Sequence, residues 1–354
     1  MEPVRPAMEL MATDRPLISV CIPAYNRARF LPELLDSILT QDFRDHEILI
    51  AEDNSPERAQ LRSIVESYRV RHPGVRLRFL ENPVNLGYDG NVRNLIAEAL
   101  GRFCFFMGND DVMYPGALAA VSRTLAEFPA AGFVLKGYSW FEGALENVAG
   151  TVRYSATRML LEPGEKAVSF CFRRCGVISG LIVDRDLAHG FATAEFDGTL
   201  YYQMYAVGRV LAVRPAVVVP DILVACRAEI PPDFGNSERE KSDFVPGRYT
   251  PHARLTMLRG LLRIARAIES GTSLPVYDAI VRDISAHFFP YMRDQVDLPM
   301  TQYWRYYREN LRLGFGRTPY FHAYFVLGRL LGARRFDRLT QKIRNALGRT
   351  VVLG

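Results

Sequence analysis

Short apolar segments rich in β-branched residues alternate with amphipathic segments in the amino-terminal third, and this alternation restricts the fold more than any other feature. The first, Leu17–Ile22, ends at Pro23 and has the composition of a strand buried on both faces. Ala28–Gln41 follows with apolar residues at helical spacing. The same alternation predicts strands at Glu47–Ala51, Val75–Leu80 and Phe103–Met107, separated by helices at Glu57–Arg71 and Gly90–Leu100. Such units predict an α/β fold with a mostly parallel sheet and helices on both faces.

Polar residues follow each predicted strand where the strand ends. They are Pro23-Ala24-Tyr25-Asn26, Glu52-Asp53-Asn54, Asn82 with Asn85, and Asn109-Asp110-Asp111. Each motif alone is typical of a turn, but the carboxyl ends of parallel strands meet at one edge of a sheet, where ligands bind. Carboxylates gathered there repel one another unless a cation or a donor-rich ligand lies between them. Because Mg²⁺ takes one or two carboxylates and adds phosphate oxygens, the sequence predicts a metal–diphosphate site at this edge.

Composition excludes several classes of protein. The 354 residues are 49% apolar and 23% charged, which is typical of soluble globular proteins and not of disordered chains. No stretch contains the roughly 18 apolar residues of a membrane-spanning helix, and the acids and prolines of residues 1–16 are unlike a secretory signal. We therefore expect a cytoplasmic protein, with its five scattered cysteines reduced and buried.

Charge is unevenly distributed along the chain. Residues 1–250 carry 27 basic and 32 acidic side chains, a net charge of −5, whereas residues 251–354 carry 17 basic and 7 acidic ones, a net charge of +10. This asymmetry predicts an anionic partner for the carboxyl-terminal region. Helical patterns from His252 onward place aromatic residues beside arginines, which favours an anionic membrane surface. Packing of these helices on the rest of the protein is the alternative, and no nucleic-acid-binding motif occurs.

Two further segments complete the predicted architecture. Gly176–Val183 and Val217–Val224 have the composition of later strands, and an amphipathic helix is predicted over Thr199–Arg209. The polar stretch of residues 229–250 contains prolines, glycines and charged residues, which indicates a loop or lid.

Four segments resemble, in order and spacing, the family 2 glycosyltransferases of GT-A fold. They are Ile18–Arg27, Glu52–Ser55, Asn85–Gly87 with Asn91 and Asn94, and Phe106–Asp111. The resemblance covers about residues 15–135 and continues less closely to 228. Within the family, Gly87–Asn94 and Gly108–Asp111 are most similar to bacterial O-antigen transferases of the abequosyltransferase type. The resemblance implies the GT-A fold and a nucleotide-sugar donor.

The resemblance also implies which residues hold the donor. Those expected beside the nucleotide are Pro23, Ala24, Tyr25, Asn26, Glu52 and Asp53, with Asp53 accepting hydrogen bonds from the base or ribose. The region around Asn85, Gly87 and Asn94 is expected to close over the nucleotide and sugar.

Asn109-Asp110-Asp111 matches the family's Asp-x-Asp metal motif. The match implies Mg²⁺ or Mn²⁺ bound by Asp111, with Asp110 beside it or near the ribose or sugar. Asn109 stands where the first acid of the motif would be, and a neutral amide is a poorer ligand for a hard cation.

Inverting sugar transfer also requires a base across the sugar from the leaving diphosphate. Family members supply it from an acidic segment after a later strand, and Gly190-Phe191 matches the residues that precede that segment. The resemblance implies Asp197 as the base and Glu195 as the second candidate, although the family's usual Glu-Asp pair is not intact. Alternatively, Asp197 is the N-cap of the helix that follows.

The sequence thus predicts an amino-terminal extension (1–14), a GT-A catalytic domain (15–228), a loop or lid (229–250) and a basic helical region (251–354). The predicted function is inverting transfer of a hexose or deoxyhexose to a hydroxyl of a glycan or lipid-linked oligosaccharide, in polysaccharide or O-antigen biosynthesis at the inner face of the plasma membrane. A dinucleotide-binding Gly-x-Gly-x-x-Gly motif is absent after the first strand. The alternative is an inactive GT-A-fold subunit that binds nucleotide sugars or glycans.

Overall fold

A computed structural model describes residues 15–231, 233–238 and 240–347 of the chain. The predicted extension (1–14) and the end of the predicted basic region (348–354) lie outside these residues. The amino-terminal part alternates strands and helices as predicted, with a 3-10 turn at Ala28–Phe30. Its elements are β1 (Ile18–Ala24), α1 (Leu31–Leu39), β2 (His46–Glu52), α2 (Arg58–Arg71), β3 (Leu77–Glu81), α3 (Gly87–Glu98) and β4 (Phe103–Phe106).

The remaining elements complete the sheet and add a helical carboxyl-terminal region. The central group is β5 (Val112–Met113), α4 (Ala117–Glu127), β6 (Phe133–Phe141), β7 (Val148–Val152), β8 (Met159–Leu161), α5 (Glu165–Arg174), β9 (Leu181–Asp184), α6 (Arg185–Gly190), α7 (Tyr202–Leu211) and β10 (Ala216–Arg227). The helices that follow are α8 (Pro251–Thr272), α9 (Tyr277–Ala286), α10 (Phe289–Arg293), α11 (Met300–Arg312) and α12 (Pro319–Leu347).

Within the described residues, ten strands form one sheet with the order β3-β2-β1-β4-β9-β6-β10-β5, in which β7 pairs with β6 and β8 with β10. β1 is parallel to both β2 and β4, and β2 is parallel to β3. β9 runs antiparallel to β4 and β6. The predicted α/β class is therefore confirmed, and the predicted parallel arrangement holds for β1–β4, while the rest of the sheet is mixed.

The strand register aligns the carboxyl ends of β1, β2 and β3 at one edge of the sheet. Ala24 lies opposite Glu52, Glu52 lies opposite Glu81, and Cys21 pairs with Phe106. β1 and β2 are almost entirely buried, which agrees with the apolar runs Val20–Ile22 and Ile48–Ala51 at their centres. The polar loops after these strands consequently emerge at the same edge of the sheet.

Two predicted elements begin later in the chain than expected. The strand predicted from Gly176 starts at Leu181, because Gly180 has φ +75° and turns the chain. A Cβ at Gly180 would lie 2.1 Å from Lys136 Cε. The helix predicted from Thr199 starts at Tyr202, because Leu200 has φ +65°, which a helix does not accommodate.

The amino terminus of α7 is held by a carboxylate from another helix. Asp89, buried in α3, accepts hydrogen bonds from Leu200 N at 2.7 Å and Tyr202 N at 2.8 Å. Burial raises the pKa of Asp89 to about 7 although these backbone donors oppose the shift. The N-cap position is Tyr201, so the alternative interpretation of Asp197 as the cap of this helix is wrong.

The carboxyl-terminal helices pack on the sheet domain through α7 and α5. Gly208 of α7 allows close approach, since a Cβ there would lie 2.3 Å from Ile268 Cδ1 of α8. In the described part of the chain, none of the helices combines the length and apolarity needed to cross a membrane. All five cysteines are buried and free, as predicted.

We expect Asp89→Ala to lower the free energy of unfolding by about 2 kcal/mol, because two buried backbone N–H groups lose their acceptor. Urea denaturation measures this change. Asp42→Ala, at an exposed loop position, serves as the control and should unfold as the wild type does. Equal urea midpoints for Asp89→Ala and wild type would contradict the capping role.

Candidate functional site

A cavity of about 400 Å³ opens at the edge of the sheet where β1, β2 and β4 end. Its volume lies within the range of small-molecule sites. Nine of the residues predicted from sequence line it: Pro23, Ala24, Tyr25, Asp53, Asn85, Gly87, Asn109, Asp110 and Asp111. Asn26, Glu52, Asn94, Glu195 and Asp197 are not among the lining residues. The loops thus converge as their order along the chain predicts.

The loop after β1 turns sharply through two left-handed residues, Asn26 (φ 52°) and Arg27 (φ 62°). Asparagine adopts this conformation more readily than arginine does, so the backbone at Arg27 is strained. The turn directs Arg27 into the cavity, where Nη1 donates to Asp110 Oδ2 at 2.7 Å and Nη2 donates to the Pro231 carbonyl at 2.7 Å. Asn109 Nδ2 donates to the Asn26 carbonyl at 2.9 Å. The loops after β1 and β4 are therefore joined directly.

Glu52 and Asp53, the adjacent acids at the end of β2, have different surroundings. Glu52 is fully buried and accepts hydrogen bonds from Asn54 N, Ser55 N and the Arg58 guanidinium, so it organises the turn. Asp53 lines the cavity, and its Oδ1 accepts from Asn82 Nδ2 and Leu86 N, both at 2.8 Å. Burial raises the pKa of Asp53 to about 6 against the effect of these donors. Asp53 is thus available to a ligand, whereas Glu52 is a structural residue.

The segment at the start of α3 forms another wall of the cavity. Asn85 Oδ1 accepts from Gly87 N at 2.8 Å, which closes the turn into the helix. Gly87 has φ +76°, and a Cβ there would lie 2.8 Å from Glu240 Oε1. Asn94 lies behind the wall and donates to Asn82 Oδ1 at 3.0 Å. Asn94 therefore supports the residues that hold Asp53 and does not face the cavity.

Asp110 and Asp111 lie side by side in the cavity with different partners. Asp110 is ion-paired with Arg27. Asp111 Oδ1 accepts from Arg227 N at 2.9 Å, and Oδ2 accepts from the Ser179 hydroxyl. Burial is the main cause that raises the pKa of both carboxyls, and proximity to Asp110 adds to the effect on Asp111. Two adjacent carboxylates in a buried setting are suited to a divalent cation.

Lys136 is a buried cation in this part of the sheet. It lies in β6, and its ammonium is 4.7 Å from the centre of the Tyr138 ring. Burial lowers the pKa of Lys136 to about 8, while Asp111 and Cys226 favour the charged form. Lys136 therefore offsets part of the negative charge beside the cavity.

The segment of residues 229–250 covers one side of the cavity, and we refer to it as the lid. Its lining residues are Asp233, Phe234, Asn236, Ser237, Glu240 and Tyr249. Glu240 is buried and accepts from Tyr88 N at 2.9 Å and Gly235 N at 3.0 Å. This carboxylate joins the lid to the amino terminus of α3, where negative charge is favourable.

The two candidate bases lie outside the cavity lining. Asp197 Oδ2 forms an ion pair of 2.7 Å with Arg93 Nη2 of α3, and the Asp197 side chain is 3% exposed. Glu195 is exposed, and its carbonyl accepts from Arg263 Nη2 at 2.7 Å. Gln203 of α7 does line the cavity, and its Nε2 donates to the Gly176 carbonyl at 3.3 Å. Among the described residues no donor reaches Gln203 Oε1, which is buried.

Several residues in or near the site have no functional role that the sequence alone predicts. Lys136 carried a usable signal, since it is a charged residue within an apolar strand. Arg27, Asp89 and Gln203 have ordinary sequence surroundings, and only the tertiary structure gives them partners. Glu240 falls in a stretch without periodicity, where the sequence predicts a loop but not its contacts.

The described cavity lining contains five carboxylates and one cationic side chain. The carboxylates are Asp53, Asp110, Asp111, Asp233 and Glu240, and the cation is Arg27. Such a surplus of negative charge favours cations and ligands rich in hydrogen-bond donors, such as sugars and ribose. A diphosphate is attracted there only in the company of a cation.

Sequence comparison supports the resemblance to family 2 glycosyltransferases. The family described as Glycosyl transferase family 2 matches residues 19–177. Over 112 residues the chain is 32% identical to the GalNAc(5)-diNAcBac-PP-undecaprenol beta-1,3-glucosyltransferase of Campylobacter jejuni, with 32% of this chain and 35% of that protein covered. Over 111 residues it is 35% identical to the abequosyltransferase RfbV of Salmonella typhimurium, with 31% and 32% covered. The chain thus spans about a third of the length of these curated relatives.

Solved structures share the fold over nearly the whole chain. Staphylococcus aureus TarS 1-349 in complex with UDP-GlcNAc matches with a TM-score of 0.56 at 16% identity, covering 94% of this chain and 92% of that one. The mannosyltransferase PcManGT of Pyrobaculum calidifontis, in complex with GDP-Man and Mn²⁺, matches with a TM-score of 0.50 at 17% identity, covering 90% and 88%. At these identities the likeness supports the GT-A-like fold with its helical extension.

We expect Glu240→Ala to loosen the lid, because Tyr88 N and Gly235 N lose a shared acceptor. Chymotryptic cleavage at the lid aromatics Phe234 and Phe244 should become about tenfold faster, as the loss of two buried hydrogen bonds implies. Glu238→Ala is the matched control, since that side chain lies in the same segment and is 83% exposed. Equal cleavage rates for the two variants would show that Glu240 does not hold the lid.

Proposed function

We propose that the chain moves a sugar from a nucleoside-diphosphate sugar to a hydroxyl, with inversion. The match of residues 19–177 to Glycosyl transferase family 2 supports this proposal. The observation that carries this proposal is the cavity at the ends of β1, β2 and β4, where Asp53, Asp110 and Asp111 face one space. We propose residues 15–228 as the catalytic domain, residues 229–250 as its lid and residues 251–354 as a basic helical region.

The charge of the cavity supports a donor that arrives with Mg²⁺ or Mn²⁺. Asp111 and Asp110 are the residues that would hold the ion, and two carboxylates are a common protein contribution when phosphate oxygens complete the shell. When bound, the ion neutralises negative charge on the leaving diphosphate. Among the described residues no group of three or more His, Cys, Asp or Glu side chains is arranged to hold a metal. Asn109 bonds to the Asn26 carbonyl and has a structural role in this proposal.

Other lining residues suit the nucleoside and the sugar. We propose that Asp53 accepts hydrogen bonds from the base or ribose, with Pro23, Ala24 and Tyr25 alongside. Asn85 and Gly87 would lie over the donor beneath the lid.

In the chemical step, the acceptor oxygen attacks the anomeric carbon as the bond from that carbon to the diphosphate oxygen breaks. The hydroxyl proton passes to a carboxylate, for which we propose Asp197, with Glu195 as the second candidate. Asp197 is held by Arg93 and lies outside the cavity lining. This assignment therefore requires that acceptor binding shift the Asp197–Arg93 pair toward the sugar.

Two observations favour an alternative in which the chain binds nucleotide sugars or glycans without transferring them. Asn109 replaces an acid of the metal motif, and Asp197 is engaged by Arg93. A binding subunit would keep the cavity and Asp53 but would show no turnover with any donor.

We propose a glycan or lipid-linked oligosaccharide as the acceptor, in polysaccharide or O-antigen biosynthesis. The support is that one relative is named for an undecaprenol-linked acceptor and another for abequosyl transfer. A lipid-linked acceptor lies in a bilayer, so we propose a cytoplasmic enzyme that works at the inner face of the plasma membrane. We assign no role to nucleic acid, because no fold or motif for it is present in the described chain.

Nucleotide binding tests the proposed donor. With UDP, GDP, dTDP, CDP and CMP as a panel, we expect one nucleoside diphosphate to raise the melting temperature, and to raise it further with Mn²⁺. Asp111→Asn should abolish the Mn²⁺ increment and the transfer activity while the fold remains, because the amide can still accept from Arg227 N. Asp42→Ala is the control. If no nucleotide shifts the melting temperature of the wild type, the donor proposal fails.

Substitution of the candidate bases tests the chemical step. Asp197→Asn should keep the donor-induced thermal shift but lose at least about a hundredfold in turnover, the usual contribution of a general base. Glu195→Gln should be nearly unaffected, since its side chain is exposed. Asp233→Asn, which changes a carboxylate that lines the cavity, is the comparison. Full turnover in Asp197→Asn with loss in Asp233→Asn would place the base on the lid.

A further inference from the structure

Exposed apolar side chains concentrate at the carboxyl-terminal end of the described chain. Eight of the fifteen large apolar side chains exposed in the described residues fall between Met300 and Leu339. Isolated exposed apolar residues are normal on protein surfaces, but a cluster of them indicates a contact surface. These residues belong to α11 and α12, far along the chain from the loops that line the cavity.

On α11 the exposed apolar residues form one stripe. Met300, Trp304 and Leu311 are spaced by four and seven residues, which places them above one another on the helix. The buried side of α11 is formed by Tyr303, Tyr306 and Asn310. Next to the stripe, on the outward side, lie the exposed arginines Arg305, Arg308 and Arg312.

On the first half of α12 a second stripe faces outward. Val326 and Leu327 are exposed, and Leu330 is 73% exposed, while Phe321 and Phe325 are buried on the opposite side. The Trp304 ring lies 5.6 Å from the Phe325 ring. This ring contact places the α11 stripe beside the packing contact between α11 and α12. We call the surface formed by Met300, Trp304, Leu311, Tyr320, Val326, Leu327 and Leu330 the α11–α12 face.

Arginines lie beside the α11–α12 face on α11 and beyond it on α12. Beyond Gly332, where α12 bends, the exposed residues Arg334, Arg335 and Arg338 follow. Over the described residues 325–338 the chain holds four basic residues and one acid. An apolar stripe bordered by arginines, with tryptophan and tyrosine at its edge, matches the chemistry of an anionic lipid surface.

We infer that the α11–α12 face lies on an anionic bilayer, with its apolar side chains among the acyl chains and its arginines on lipid phosphates. A second copy of the chain is a poorer occupant, because a symmetric contact would bring the same arginines together. Nucleic acid is also a poorer occupant, since the centre of the face is apolar and not basic. The inference names the surface through which the proposed membrane localisation would be achieved, and it does not depend on sugar transfer.

The structure changes which helices are expected to meet the membrane. The pattern of α8, with Arg259, Arg263 and Arg266 opposite its leucines, is amphipathic in sequence. However, Arg263 donates to the Glu195 carbonyl, and the Arg266 guanidinium lies 4.0 Å from the centre of the Tyr277 ring. The apolar side chains of α8, such as Leu258 and Leu261, are buried in the protein. The lipid contact is therefore assigned to α11 and α12.

Flotation of the full chain with vesicles tests the inference. We expect binding to vesicles of phosphatidylcholine mixed with phosphatidylglycerol, weak binding to phosphatidylcholine alone, and weakening by salt. The double variants Val326→Ser/Leu330→Ser and Arg305→Gln/Arg308→Gln should each need about tenfold more anionic lipid for half-maximal binding. The control Val70→Ser/Val213→Ser removes two valines that are at least as exposed as Val326 but lie elsewhere on the protein. It should bind as the wild type does.

Three results would overturn the inference. The first is failure of the wild-type protein to float with anionic vesicles. The second is flotation of the double variants at the wild-type level. Concentration-dependent association that Val326→Ser/Leu330→Ser abolishes, without vesicle binding, would assign the face to a second copy. Nucleotide-induced thermal shifts on the same preparations report the proposed function separately, so failure of one proposal is distinguishable from failure of the other.

Discussion

Buried carboxylates that accept backbone N–H groups hold the loops of this protein in place, and the cavity depends on them. Glu52 closes the turn after β2, Asp53 binds Leu86 N, and Asp111 binds Arg227 N. Asp89 and Glu240 do the same for α7 and the lid. A buried acceptor left without its donor, or a donor without its acceptor, costs more free energy than the bond contributes on average. The loops are therefore fixed relative to one another although they come from distant parts of the chain.

The same carboxylates create an electrostatic imbalance that gives the cavity its chemistry. Arginines compensate two acids outside the cavity lining: Arg58 pairs with Glu52, and Arg93 pairs with Asp197. Within the cavity, Arg27 is the single cationic side chain among the described lining residues. Burial raises the pKa of Asp53 and Asp111 because charge is costly in that setting. A cation with its diphosphate would relieve this cost, so donor binding and neutralisation of the site are coupled in the proposed function.

The carboxyl-terminal helices contribute to the site as well as to its surroundings. Tyr249 and Met257 line the cavity, and the Arg254 guanidinium lies 3.6 Å from the centre of the Tyr249 ring. Arg254 also donates to Asp294 Oδ2 at 2.7 Å, which ties α8 to the segment before α11. The cavity side of α8 is thus connected by a polar contact to the segment that leads into α11. In the proposed arrangement, the helices that contact lipid and the helix that lines the acceptor side of the cavity belong to the same helical region.

The sequence by itself determined the strands β1–β4, the helices between them and the set of polar loops at their ends, because those elements depend on local periodicity and on turn residues. It also indicated Asp53, Asp110 and Asp111, since residues that follow neighbouring parallel strands must meet at one edge. Only the tertiary structure decided that Glu52 and Asn94 support the site from behind, that Asp89 caps α7, that Asp197 pairs with Arg93, and that Glu240 fastens the lid. Only it decided that the apolar face of α8 is buried while α11 and α12 expose apolar stripes. The contacts of Asp89, Asp197 and Glu240 join residues more than a hundred positions apart. The direction in which the Glu52 and Asn94 side chains point, and which helix face another helix covers, also depend on the tertiary structure. None of these features leaves a periodic signal in a single sequence.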